Sequence, residues 1–203
     1  MEYLSLILFC ISTCVTPGPN NTMIMASGVN HGFRKSLPHM LGINVGFPLM
    51  LVIVGLGAGN LFQQVPLLQT VLKAAGAAYL SYMAYKIATT PAGKLEAGNA
   101  KPFSFIQAAL FQWVNPKAWI MAVGAVVTYS AAGGDYFLGV LQIGLIFFLF
   151  GTPCTGIWLW FGAALRDVLS KPQYRRLFNS AMALLLLSSL IPVLRDLYAA
   201  YAA

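Results

Sequence analysis

Long apolar stretches separated by short polar links fill this chain. They lie at about Tyr3 to Val29, His39 to Asn60, Leu67 to Ala88, Phe105 to Tyr129, Tyr136 to Ala164 and Leu177 to Leu194. A helix needs roughly 20 apolar residues to cross a bilayer, so the pattern predicts six transmembrane helices with short connections. The expected fold class is all-α, a polytopic membrane helical bundle forming one transmembrane domain over residues 1–203.

Two of the stretches are interrupted. Thr16-Pro17-Gly18-Pro19-Asn20-Asn21 sits inside the first, where Pro17 and Pro19 lack amide hydrogens and crowd the preceding turn, and Gly18 loosens the backbone. Trp113-Val114-Asn115-Pro116-Lys117 interrupts the fourth in the same way. Backbone groups freed at such breaks cannot be left facing lipid, so each break has to face protein or a wet cavity. The halves then compare: repeat 1 over about 1–90 and repeat 2 over about 103–200 each hold three spans, with a break in the first. Three is odd, so spans 1 and 4 run in opposite directions, which makes an inverted repeat. In that arrangement solute sites form near the midplane where discontinuous helices meet.

The second stretch is rich in glycine, and Gly42 with Gly46 forms a G-x-x-x-G spacing suited to close helix packing. Lys73, in the first turns of the third stretch, reads as a side chain reaching the near interface.

Composition supports the membrane reading, with 59% hydrophobic and 8% charged residues against roughly 25% charged in a soluble domain. No room remains for a soluble catalytic domain. Glu2 stands where a signal peptide would be basic, so the first stretch is expected to be a retained span. The net charge of +7 sits mainly in the links and does not point to nucleic acid. Link 1 holds Arg34 and Lys35; link 3 holds Lys94 and Lys101 with Lys86 at its edge; link 5 holds Arg166, Lys171, Arg175 and Arg176. Links 2 and 4 hold none, so the odd links are placed in the cytoplasm and both termini outside, with Arg195 in weak opposition.

The polar residues at the breaks are the candidate site. Asn20, Asn21 and Asn115 both donate and accept hydrogen bonds, and Lys117 offers a cation for a carboxylate, a set that fits a small zwitterion. Kinks that serve packing alone are the plain alternative, and Lys117 could instead satisfy carbonyls of a broken helix. Cys10, Cys14 and Cys154 show neither a disulfide framework nor a metal-ligand spacing. No metal or cofactor is expected. No Ser/His/Asp, paired-carboxylate or metalloprotease constellation lies at membrane depth, so an enzyme is not expected. An intramembrane thiol-disulfide electron carrier and a non-transporting membrane scaffold subunit remain as other functions for such a chain.

Several of these residues carry a family resemblance. Thr16-Pro17-Gly18-Pro19-Asn20-Asn21, His31-Gly32-Phe33-Arg34, Gly76-Ala77-Ala78-Tyr79 and Asn115-Pro116-Lys117 together resemble the lysine exporter and homoserine/threonine resistance superfamily of small bacterial inner-membrane amino-acid exporters. Lys86-Ile87-Ala88-Thr89 and Ala100-Lys101-Pro102-Phe103-Ser104 look closest to its cysteine/O-acetylserine exporter branch. The resemblance covers essentially the whole chain. It implies efflux of amino acids driven by protons, from a homodimer in the inner membrane, with Pro17, Gly18, Pro19, Asn20, Asn115, Pro116 and Lys117 along the solute pathway, to which the residue reading adds Asn21. All five acidic residues lie at ends or links, which leaves Lys117, His39 or the solute's own ammonium group to carry the proton.

Overall fold

The computed structural model describes residues 2–58, 64, 66–90, 102–130 and 135–202. Its elements are α1 (Glu2–Val15), α2 (Pro19–His31), α3 (Phe33–Ile53, running into a π turn at Val54–Ala58) and α4 (Pro66–Ala88). The second half holds α5 (Phe105–Phe111, followed by a 3-10 turn at Gln112–Val114), α6 (Pro116–Tyr129), α7 (Tyr136–Val168), α8 (Pro172–Ser188) and α9 (Ile191–Ala202).

The sequence starts these helices with recognisable chemistry. Ser104 and Gln107 form a reciprocal capping box at α5, in which Gln107 N donates to Ser104 Oγ at 3.2 Å and Ser104 N to Gln107 Oε1 at 3.0 Å. Asp135 caps α7 by accepting from the amides of Phe137 and Leu138. Proline opens α2, α6 and α8, where its missing N–H costs nothing.

Three stretches of helix are long and apolar enough to cross a membrane, Phe33–Gly57, Tyr136–Val168 and Pro172–Tyr198, and Tyr3–Val15 and Phe105–Val114 are shorter apolar helices that run into the breaks. The outer surface is greasy, with Leu8, Leu49, Ile120, Val127, Ile157, Trp160 and Leu184 exposed. The chain is an all-α membrane bundle.

The long α7 is its spine, with α1, α2 and α3 packed along it; α3 also packs on α5, and α4 on α8. The Gly42/Gly46 pair makes the α3–α5 contact possible, since a Cβ on Gly42 would strike the Phe105 carbonyl and one on Gly46 would lie 2.5 Å from Ala109 Cα. The end of α6 meets the beginning of α1: the Tyr129 hydroxyl donates to Ser5 O at 3.5 Å, and the Phe9 and Tyr129 rings lie 5.9 Å apart. These two half-helices therefore run antiparallel.

One end of the bundle is basic. Gly32, at φ 82, turns α2 into α3 against the Arg166 guanidinium, and Arg175 Nη2 donates to Arg166 O at 3.3 Å. Beside them His31 is held below the usual imidazole range by burial first and then by the charges of Lys35, Arg166 and Lys86. Cations from links 1 and 5 and from the edge of link 3 thus gather at one end. Lys73 pairs with Asp196 at 2.7 Å, a partner that its sequence position does not indicate.

Some boundaries differ from the hydropathy reading. Helix α3 already starts at Phe33, and Arg34 and Lys35 lie in its first turn, because backbone hydrogen bonding outlasts the apolar stretch. Span 6 is two helices, since Pro192 has no amide to give the Ser188 carbonyl and the chain turns at Ser189 and Leu190. Helix α9 then continues past Arg195 and Asp196. Asn60, Lys94, Glu96, Lys101 and the greater part of links 2, 3 and 4 lie outside the described residues.

Candidate functional site

At the first break α1 ends on carbonyls with no helical partner. Trp158 Nε1 donates to Val15 O at 3.2 Å, and two more side chains reach into the break. Asn21 Nδ2 donates back to Cys14 O at 2.7 Å and Thr16 O at 2.9 Å, and Lys117 Nζ, from the other break, donates to Thr16 O and Thr16 Oγ1, both at 2.8 Å, and to Pro17 O at 3.4 Å. A cation at a helix C-terminus also meets the negative end of its dipole. Gly18 leaves the space for this reach, because a Cβ there would come within 2.7 Å of Lys117 Cδ. Helix α2 then starts at Pro19 with no side chain capping it, so the first-turn amides of Asn20 and Asn21 have no intrahelical acceptor.

The second break is tighter. The chain passes through the 3-10 turn at Gln112–Val114, Asn115 takes an extended conformation, and its Oδ1 caps α6 by accepting from Lys117 N at 3.2 Å. Trp119 Nε1 donates to Trp113 O at 2.8 Å across the turn.

A pair of amides joins the breaks. Asn20 Nδ2 donates to Gln112 Oε1 at 2.8 Å, and Gln112 Nε2 returns a bond to Asn20 Oδ1 at 3.1 Å while also donating to Ala108 O at 2.9 Å. Gln112 is fully buried.

Between the breaks lies a cavity of about 50 Å³, lined by Gly18, Asn20 and Asn21 from the first, Asn115 and Lys117 from the second, Asn44 and Pro48 from α3 and Thr155 from α7. Phe47, Met121 and Phe147 form its apolar wall. That space suits a few waters. Pro17, Pro19 and Pro116 shape the backbone around the cavity without lining it. His39 stands apart: it is buried with its ring 5.0 Å from that of Phe103 and does not line the cavity. The three cysteines are free thiols, of which Cys14 lies at the cavity wall.

Sequence reasoning passed over Gln112 and Asn44. Both are amide side chains inside apolar stretches, which was the available signal. A larger hollow of about 380 Å³ lies behind the second break between α4, α6 and α9, mostly apolar, with Lys73 and Asp196 among its lining residues.

Residues 11–190 match the family of LysE type translocators. The chain is similar to the cysteine/O-acetylserine efflux protein of Escherichia coli O139:H28 (strain E24377A / ETEC), at 33% identity over 182 residues, covering 88% of this chain and 90% of that protein. The proteins of the same name from Escherichia coli (strain K12) and Shigella flexneri are each 33% identical over 181 residues, with the same coverage. No solved structure matches the chain.

Proposed function

The chain belongs to the LysE type translocator family, and from that premise we propose that it exports small neutral amino acids, of the cysteine/O-acetylserine or threonine/homoserine kind, through the cavity between its two breaks. It is a multi-pass protein of the bacterial inner membrane and a transporter rather than an enzyme. The basic end formed by Arg34, Lys35, Lys86, Arg166, Lys171, Arg175 and Arg176 faces the cytoplasm.

The observation that carries the proposal is the interlocking of the breaks. Lys117 of one caps the end of α1 in the other, and Asn20 and Gln112 close across the gap, beside a cavity that has one polar wall inside an apolar bundle. A membrane protein keeps such polar groups at depth where a polar solute has to pass. The solute carboxylate would lie toward the positive end of α2 and the Lys117 charge. Pro17, Pro19 and Pro116 hold the backbone open around it, and Asn20, Asn21 and Asn115 supply the polar wall.

Two inverted repeats of three spans give this site its alternating access. The antiparallel meeting of α1 and α6 supports that plan, as does a matched packing: α3 lies on α5 in one direction and α7 on α1 in the other. Opening requires the Asn20–Gln112 pair to part, since a space of about 50 Å³ admits a few waters and is too small for an amino acid. Export is coupled to protons, for which Lys117, His39 and the solute's ammonium group are the available carriers, and the working unit is a homodimer.

Counterflow in proteoliposomes loaded with unlabelled amino acid tests the proposal across a labelled panel, with and without a pH gradient. Exchange of cysteine- or threonine-like amino acids that responds to the gradient is expected. Absence of exchange for every amino acid in the panel removes the exporter reading.

A further inference from the structure

The polar side chains of the breaks are already occupied within the fold. Lys117 Nζ has three oxygen acceptors, Asn21 Nδ2 has two, Asn20 and Gln112 hold each other, and Asn115 Oδ1 caps α6. Thr155 Oγ1 on the far wall donates to Gly151 O at 3.1 Å. None of these needs a solute to satisfy its hydrogen bonding.

Asn44 differs. Its side chain is 5% exposed, it lines the cavity, and its Nδ2 has no acceptor. Among the described residues the other buried side-chain atoms without a partner are His39 Nδ1 and Arg175 Nε, and neither residue lines the cavity. A buried donor left unpaired is costly, by more than a typical hydrogen bond stabilises. Its retention at a cavity wall is explained if the acceptor arrives with the solute.

The surroundings identify that acceptor. The same cavity holds the start of α2, which no side chain caps, at the positive end of a 13-residue helix whose first-turn amides have no intrahelical acceptor. It also holds the Lys117 charge. Donors and positive potential converge there, and a carboxylate is the part of an amino acid that fits them. We propose that Asn44 is a solute-binding residue, donating from Nδ2 to the carboxylate of the transported amino acid as that group seats on the α2 N-terminus. This rests on the exporter reading and assigns its recognition to α3 as well as to the breaks. The break amides hold the two halves together, and Asn44 reads the cargo.

Asn44→Ala and the isosteric Asn44→Asp test it by counterflow in proteoliposomes, with each amino acid compared with its carboxamide analogue as inhibitor. In the wild type the amino acid inhibits and the carboxamide does not. A hydrogen bond to a charged group sets the scale, so Asn44→Ala should raise KM roughly ten- to a hundredfold and narrow the discrimination between acid and amide. Asn44→Asp should lose exchange of the amino acid, because its carboxylate repels the solute's. A merely misfolded variant would lower the rate for both compounds without altering their ratio. An unchanged KM and an unchanged ratio in Asn44→Ala overturn the assignment while leaving wild-type exchange, and so the exporter reading, intact. Failure of the wild type to exchange any amino acid overturns both.

Discussion

The two breaks are built from similar letters and solved differently. The second is self-sufficient: Asn115 caps the helix that follows it, Pro116 starts that helix without wasting an amide, and Trp119 reaches back to the Trp113 carbonyl. The first is dependent. Its α2 has no side-chain cap, Gly18 is fully extended at φ 179, and the carbonyls of Thr16 and Pro17 at the end of α1 are met by a lysine borrowed from the other half of the chain. The difference assigns them different parts. The second break is a post held by its own residues, and the first is hinge-like in geometry, held partly by Asn21 and partly from across the cavity by Lys117 and the Asn20–Gln112 pair.

Removing the borrowed lysine should break this comparison most severely. Lys117→Met keeps most of the length of the side chain and withdraws the donor, leaving the Pro17 carbonyl without its partner and the Thr16 carbonyl with Asn21 alone. Transport should fall about a hundredfold, with a lower thermal unfolding midpoint in detergent, and Lys117→Arg should recover part of both. Wild-type exchange and midpoint in Lys117→Met would show that the first break supports itself.

That dependence was only half legible in the chain. Proline, glycine and asparagine act on their own backbone, so Pro17-Gly18-Pro19-Asn20 and Asn115-Pro116-Lys117 announce interruptions wherever they fall in an apolar stretch. Which acceptor Lys117 takes is a matter of tertiary distance, and the sequence left solute and carbonyl both open; the fold gives the ammonium to the carbonyls. Gln112 and Asn44 were illegible for the same reason. Their meaning lies in a partner 92 residues away in one case and in a missing partner in the other. His39 is legible only in part. A histidine near the edge of a span suggests interface or proton traffic, yet its ring is packed beside Phe103 away from the cavity. Hydropathy marked an all-α membrane bundle and misplaced helix ends, because Arg34, Arg195 and Asp196 are charged residues inside continuing helices.

A smaller effect should separate the hinge from the post along the amide pair. Asn20→Ala or Gln112→Ala removes two neutral bonds across the gap, each contributing about 0.5–1.5 kcal/mol. Exchange should drop by roughly tenfold in either variant. The informative quantity is the double-mutant cycle in unfolding free energy, where a coupling of about 1–3 kcal/mol is expected for residues sharing both bonds. A coupling near zero would mean that the breaks are held together elsewhere, and the dependence of the first on the second would then rest on Lys117 alone.

The mildest substitution bears on the post. Asn115 is buried at 2% exposure and its Oδ1 spends its visible bond on the Lys117 amide, so its role in this conformation is that of an N-cap. Asn115→Ala should therefore cost about 1 kcal/mol of stability and lower exchange only a few-fold, less than either loss above. Serine and aspartate also cap helices well, and they separate capping from contact with the solute. If the cap is what matters, Asn115→Ser and Asn115→Asp restore the unfolding midpoint and the exchange rate together. If the amide also touches the cargo, the midpoint recovers while KM stays raised, and the second break would have to be counted as part of the binding surface as well as its support.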